Sequence, residues 1–160
     1  RSAPRPLTET WKHKEHEAAA VVGPDGSLWY TRTNASRSKN GIHRLSILHA
    51  QRDVAGFTGE DPFLYNNPEC SVGHPAISAD GKLFFFVSDM PGGYGGTDIY
   101  MCQDMGGQWG EPRNLGPGVN TTRNELFPFM ADDGTLYFSC LLYTSPSPRD
   151  RTRSRMPSSA

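Results

Sequence analysis

Two carboxylates and a tyrosine stand in one glycine-rich stretch, from Asp89 to Asp98. A phosphate-binding loop needs a following helix whose N-terminal amides face the anion, and the residues after Asp98 read as a strand. Calcium takes about six to eight oxygen ligands, more than Asp89 and Asp98 supply. We predict no metal and no cofactor here, and we expect Asp98 to hold the loop by accepting its backbone amides. Since exposed loops carry many binding residues, Asp89, Tyr94 and Asp98 are predicted to contact a ligand.

A histidine supplies the fourth predicted binding residue. His74 precedes Pro75 at the start of a predicted strand, where it either faces a central channel or serves as a hydrogen-bonded structural histidine. A second group, His13-Lys14-Glu15-His16-Glu17, has neither the order nor the helical context of a zinc-binding H-E-x-x-H motif. That group is predicted to be a solvated connection.

Three further carboxylates recur at regular intervals, each in an Asp-Gly pair, at Asp25, Asp80 and Asp133. Acid–base catalysis needs two carboxylates facing one cleft, whereas these recur singly between apolar runs, as turn residues do. Nothing marks a Ser-His-Asp or Cys-His arrangement. The predicted catalytic set is therefore empty, and the chain is predicted not to be an enzyme.

The turns belong to a repeat that positions all of these residues. Ala18–Thr31, His74–Val87 and Phe127–Ser139 each read as a short apolar strand, an Asp-Gly turn and an aromatic-rich strand. The turn glycines Gly26, Gly81 and Gly134 are 55 and 53 residues apart. A period near 50 residues with about four short strands is typical of β-propeller blades. We predict an all-β fold, a partial β-propeller of about two and a half four-stranded antiparallel blades.

The predicted strands follow from this repeat. Leu83–Val87 does not alternate between apolar and polar residues, so both of its faces are expected to be buried. The recurring aromatics Trp29, Tyr30, Phe84, Phe85, Phe86, Tyr137 and Phe138 are expected in the core, and Trp109 is expected to lock an outer strand. The first blade is predicted to contain Ala18–Val22, Leu28–Arg32, Ile42–Ile47 and Gly56–Phe57, and the second Pro75–Ser78, Leu83–Ser88, Asp98–Cys102 and Gln108–Glu111.

Composition excludes several functional classes. The 160 residues carry a net charge of −1, which gives no basic surface for nucleic acid. No apolar run approaches the roughly 20 residues of a membrane-spanning helix, and no targeting signal is visible. Cys70, Cys102 and Cys140 form neither a disulfide framework nor a zinc pattern. Free thiols are favoured, and whether Cys70 and Cys102 pair stays open.

The repeat also predicts boundaries. Residues 1–16 are expected to be the end of a preceding blade and a connection, and 17–139 the propeller blades. Residues 140–160 are expected to be a disordered, non-native tail, because a Ser/Pro/Arg-rich sequence replaces the glycine-rich loop that should follow Ser139. Propellers close with about four to eight blades, so a longer native protein is expected.

The run SDMPGGYGGTDIY (Ser88–Tyr100), together with Trp109–Thr121 and Glu125–Ser139, resembles the WD-like, TolB-like propeller repeats of bacterial envelope proteins. It is most similar to proteins of the OmpA family (outer-membrane protein A). Ala79 departs from that pattern, since Pro is usual before Asp-Gly.

The resemblance implies a non-catalytic scaffold or interaction module in the periplasm or at the outer membrane. Its partners would be envelope proteins or cell-wall polymer, bound through propeller loops, with peptidoglycan bound by a domain absent from this chain. The alternatives are a propeller-type glycan hydrolase or lyase, the propeller domain of a peptidase, or a cytosolic repeat adaptor.

Overall fold

The computed structural model describes residues 15–54 and 56–141, in which every regular element is a β-strand. The strands are β1 (Glu17–Val22), β2 (Leu28–Arg37), β3 (His43–Asp53), β4 (Gly56–Pro62), β5 (Val72–Ile77), β6 (Leu83–Ser88), β7 (Asp98–Gln103), β8 (Arg113–Asn114), β9 (Asn124–Met130) and β10 (Leu136–Leu141). Residues 1–14 and 142–160, which include most of the predicted connection and tail, lie outside the described residues. The all-β prediction is confirmed.

The strands form three antiparallel sheets, in which each strand pairs with its neighbour along the chain. Sheet 1 has the order β1-β2-β3-β4, sheet 2 the order β5-β6-β7-β8, and sheet 3 contains β9 and β10. The two four-stranded antiparallel sheets match the predicted strand count of a blade. Among the described residues no sheet closes on itself.

The three Asp-Gly turns form where they are predicted. In each turn the glycine has a positive φ, and the Asp carboxylate accepts the backbone N–H two residues further on. These bonds run from Ser27 to Asp25 at 3.0 Å, from Lys82 to Asp80 at 3.1 Å and from Thr135 to Asp133 at 2.9 Å. The three carboxylates therefore cap their own turns.

Strand β6 is buried on both faces, as its uninterrupted apolar sequence predicts. Phe84 and Phe86 pack toward sheet 1, in a cluster that also contains Ile47 and Phe63. Phe85 and Val87 pack in a second cluster, with Met130 and Leu136 of sheet 3 against it. Sheet 2 is thus the middle layer of a stack of three sheets.

Three predictions about the outer parts of the sheets are wrong. The fourth strand of sheet 2 is not Gln108–Glu111 but Arg113–Asn114, because the chain turns at Met105–Gln108 and Trp109 then forms only an isolated bridge with Asp104. The Trp109 indole packs into the cluster between sheets 1 and 2 instead. Tyr137 and Phe138 are exposed rather than core. Sheet 3 has two described strands and no described sheet covers its outer face.

Candidate interaction groove

The first strand of every sheet carries a β-bulge, that is, one residue more than the partner strand opposite. The register shifts between Ala18 and Ala20 in β1, between Gly73 and Ala76 in β5, and opposite Tyr137–Ser139 in β9. The bulged residues are Ala19, His74 and Phe127, which are also the non-glycine residues with positive φ in the described chain, at 39°, 54° and 52°.

These bulges recur at the period of the repeat. Ala19, His74 and Phe127 are 55 and 53 residues apart, the same spacing as the three turn glycines. A left-handed conformation costs a residue with a Cβ atom roughly 1–2 kcal/mol. Backbone strain of this kind persists where surrounding structure enforces it, and it clusters at functional sites. The same strain in three successive repeats marks the first strands as the candidate site.

Side chains of one repeat hold the bulge of the next. The His74 N–H donates to Thr31 Oγ1 in sheet 1 at 2.8 Å. The Phe127 N–H donates to His74 Nδ1 at 3.3 Å, and the two rings stack with centroids 4.1 Å apart and planes 12° apart. The bulges at His74 and Phe127 each free a backbone amide from their own sheet, and a side chain of the preceding sheet accepts it. The bulges therefore help to join the sheets.

His74 is fixed as a neutral acceptor by this arrangement. A ring nitrogen that accepts an N–H cannot carry a proton, so the proton of the neutral imidazole resides on Nε2. Burial lowers the pKa of His74 below its ordinary 6.5. The predicted hydrogen-bonded role of His74 is observed, and His74 also lies at the surface shared by the three sheets.

The bulged strands line a single groove of about 350 Å³. Val22 and Phe127 expose 56% and 55% of their surface there. None of the lining residues carries a formal charge, which is unusual for a protein surface. The lining consists of Ala19, Ala20, Val21 and Val22 of β1, His74, Pro75 and Ala76 of β5, and Phe127, Pro128 and Phe129 of β9.

The predicted loop residue Asp98 lies apart from this groove, in a structural position. It is 1% exposed and accepts the backbone N–H groups of Tyr94 at 2.6 Å and Gly95 at 3.1 Å, as expected for a residue that holds the loop. The Asn114 side-chain amide donates to it at 2.7 Å. Its oxygens thus have partners within the protein.

The other two predicted loop residues differ in exposure. Asp89 is paired, since Arg44 Nη1 donates to its Oδ2 and the Ser71 N–H donates to its Oδ1 at 2.6 Å. Tyr94 is 48% exposed at the tip of the loop. The structure therefore leaves Tyr94 open to a ligand and engages Asp89 and Asp98 in internal bonds. None of the three lines the groove that contains His74.

The glycine-rich loop serves as a contact between sheets 2 and 3. The Gly96 N–H donates to the Arg123 carbonyl at 2.7 Å, and the Glu125 N–H donates to the Thr97 carbonyl at 2.9 Å. A Cβ atom on Gly95 would collide with the backbone carbonyls of Thr121 and Arg123. Glycine is required here because the two chain segments approach so closely.

A tyrosine–carboxylate–arginine cluster was missed at the sequence level. The Tyr30 hydroxyl donates to Glu60 at 2.8 Å, and Arg32 forms ion pairs with Glu60 and Glu17. Tyr30 is 3% exposed, and burial together with the Glu60 hydrogen bond raises its pKa. A tyrosine nucleophile needs the opposite shift and an open approach. The cluster connects β1, β2 and β4 and does not resemble a catalytic site.

The cysteines and other polar clusters form no further site in the part of the chain that the structure describes. Cys70, Cys102 and Cys140 are free thiols, the first two buried. No group of three or more His, Cys, Asp or Glu residues between 15 and 141, Ala55 aside, is arranged to hold a metal ion. The same described residues contain no helix that is long and apolar enough to cross a membrane.

Sequence reasoning found His74 but missed Ala19 and Phe127. The signal was present, since both residues lie at the repeat position of His74, 55 residues before it and 53 after it. An alanine and a phenylalanine have no obvious chemistry, so residue type alone did not select them. No protein-family model matches the sequence, and no curated protein matches it.

Proposed function

We propose that this chain is part of a β-propeller that works as a non-catalytic interaction module in the envelope of a two-membraned bacterium. The observation that carries the proposal is the groove, in which three strained residues at the repeat spacing meet on one uncharged, apolar surface. Such a surface suits a protein or peptide partner, because exposed apolar patches with fixed geometry mark interaction sites.

The propeller part of the proposal is supported by how the sheets stack. β1 neighbours β5, and β5 neighbours β9, so the first strands of successive sheets run side by side. Sheet 2 buries both faces between its neighbours, as a blade does. The outer face of sheet 3 exposes Phe129 and Tyr137, which suits a further sheet of the same kind.

A non-catalytic role is supported by the chemistry of the groove. Its polar side chain is His74, whose Nδ1 is already an acceptor for the Phe127 N–H. General acid–base catalysis needs a titratable group that is free to exchange a proton with the reacting atom, and nucleophilic catalysis needs an activated side-chain nucleophile. The lining offers no carboxylate, hydroxyl or thiol. In the Tyr30 cluster, the best candidate for the enzyme alternative, the tyrosine itself is buried.

The envelope location and the OmpA-family affiliation rest on the resemblance of Ser88–Tyr100 and its neighbours to TolB-like repeats. In this proposal the groove binds envelope proteins, and any contact with peptidoglycan belongs to a separate domain. The rigid sheets present the groove, while the loop around Tyr94 is a secondary contact surface.

Site-specific photocrosslinking tests the proposal. Benzoylphenylalanine is placed at position 127 or at position 94, and each variant is exposed to a periplasmic extract of a two-membraned bacterium. We expect position 127 to yield a saturable crosslink to an envelope protein identified by mass spectrometry, and unlabelled chain to compete for it. Stronger crosslinking at position 94, or hydrolysis of purified peptidoglycan or of peptides by the chain, would contradict the proposal.

A further inference from the structure

The free edge of β1 differs from those of β5 and β9 in one respect. In sheets 2 and 3 the residue after the bulge is a proline, Pro75 or Pro128. The equivalent residue in β1 is Ala20. Prolines on edge strands prevent pairing with other chains because they lack an N–H. Of these three strands, β1 is the one without this protection.

The register of β1 shows that the Ala20 amide faces away from its sheet. The Gly23 N–H donates to the Ser27 carbonyl at 2.8 Å, so the turn closes on a hydrogen-bonded pair. Bonded and non-bonded positions alternate in an antiparallel ladder. Val22, paired with Leu28, and Ala20, paired with Tyr30, are therefore non-bonded positions whose N–H and C=O groups point outward.

The backbone N–H groups of the bulged residues also distinguish β1 from β5 and β9. His74 and Phe127 donate their N–H groups to Thr31 and His74 of the preceding sheet. The contact that the structure shows for Ala19 is instead made by its carbonyl, which accepts from Thr31 Oγ1 of its own sheet at 3.4 Å. The β1 edge thus offers two outward-facing backbone positions, Ala20 and Val22, beside the apolar groove, and Ala20 is itself exposed.

We infer that an extended, uncharged segment of a partner protein adds to sheet 1 as a further strand along β1. Its backbone pairs with Ala20 and Val22, and an apolar side chain enters the groove toward Phe127. Strand addition supplies affinity through main-chain hydrogen bonds and specificity through side-chain pockets. The uncharged lining disfavours charged side chains at that point. This inference rests on the proposed function and names the kind of partner that the groove takes.

Fluorescence anisotropy tests the inference with a labelled heptapeptide, Thr-Val-Thr-Phe-Thr-Val-Thr. The chain offers its own test variant, Ala20→Pro, because both sister strands already hold proline at this position. We expect Ala20→Pro to weaken binding by about tenfold, since it removes one outward donor and obstructs the edge. Ala20→Gly keeps the amide and is expected to bind within about threefold of the unmodified chain.

A second probe keeps the test independent of whether Ala20→Pro folds. The same peptide with alternate backbone nitrogens methylated has the same side chains but cannot form a ladder, and we expect no saturable binding. Any of three results overturns the inference. The two peptides bind equally well, a folded Ala20→Pro variant binds the unmethylated peptide as tightly as the unmodified chain does, or the unmethylated peptide does not bind. If the peptide fails while position 127 still crosslinks to an envelope protein, the proposed function stands and this inference falls.

Discussion

The imidazole of His74 lies flat on the ring of Phe127, and its Nδ1 accepts the N–H of the same residue at 3.3 Å. One side chain thus joins sheets 2 and 3 where both backbones are bulged. The contact needs neutral His74, because a protonated Nδ1 would be a donor facing another donor. The junction between the sheets is therefore tied to the protonation of one histidine.

The free energy of unfolding is expected to fall as the pH drops below about 6.5. Burial lowers the pKa of His74 in the folded chain, so the unfolded chain takes up a proton first as the pH falls. The contribution of His74 to the free energy of unfolding is therefore complete at pH values above its ordinary pKa. It is lost as the pH falls toward the lowered pKa of the folded chain. Urea denaturation at a series of pH values between about 7.5 and 5 measures this slope.

His49 is the control for that experiment, because burial lowers its pKa as well, against the attraction of Asp25 and Asp61. We expect His74→Asn to flatten part of the pH slope, since Asn tolerates positive φ and its side-chain oxygen accepts an N–H without titrating. His49→Gln should remove a separate part of the pH dependence of the free energy of unfolding. An unchanged slope in His74→Asn would show that this contact does not set the pH response.

Relief of the bulge strain gives the second prediction. Ala19→Gly is expected to stabilise the chain by up to about 1 kcal/mol, because glycine adopts positive φ without a steric penalty. Ala18→Gly, one residue earlier in the same strand, is the matched control and should destabilise by about 0.5–1 kcal/mol. Thermal denaturation of both variants measures the difference. Equal destabilisation by the two would show that Ala19 is unstrained.

The contact between the glycine-rich loop and β9 gives the third prediction. Gly95→Ala is expected to destabilise by about 1–3 kcal/mol, because its methyl group would meet the backbone of Thr121 and Arg123, which cannot yield as a side chain can. Gly118→Ala is the control, since a Cβ atom there meets nothing within 4 Å. Similar unfolding midpoints for both variants would argue against the close approach.

Thiol reactivity gives the fourth prediction. Burial raises the pKa of Cys70, and it raises that of Cys102 to about 12. Since the thiolate is the reactive form, both residues should react slowly with an aromatic disulfide reagent in the folded chain. Cys140, which is only partly buried, should react first. Rapid modification of Cys102, located by mass spectrometry, would contradict the packing between sheets 1 and 2.

Periodicity and turn chemistry predicted much of the fold because both are local. The Asp-Gly pairs predicted the positions of the turns, and the apolar run at Leu83–Val87 predicted the strand that is buried on both faces. The short strand β8 was misplaced because its pairing depends on where the chain turns after β7, at Met105–Gln108, ahead of the Asp104–Trp109 bridge. Such pairing is not encoded in any local pattern.

The candidate site was only partly predictable. Residue chemistry drew attention to Asp89 and Asp98, whose oxygens the folded chain uses for internal bonds. The groove instead depends on the backbone conformation of Ala19 and Phe127. The side chains of these two residues have no reactive or charged group that would indicate a functional site. Positive φ in a non-glycine residue arises from tertiary enforcement, so no propensity in the sequence reveals it.

A titration followed by amide chemical shifts tests the central claim, that the bulged first strands, rather than the glycine-rich loop, form the main interaction surface. The uniformly nitrogen-15-labelled chain is titrated with the unlabelled Thr-Val-Thr-Phe-Thr-Val-Thr peptide. We predict saturable shifts at the amides of Ala20, Val22, His74 and Phe127, with Tyr94 unaffected. Shifts centred on Gly93–Gly95, with Ala20 and Phe127 unmoved, would contradict the account.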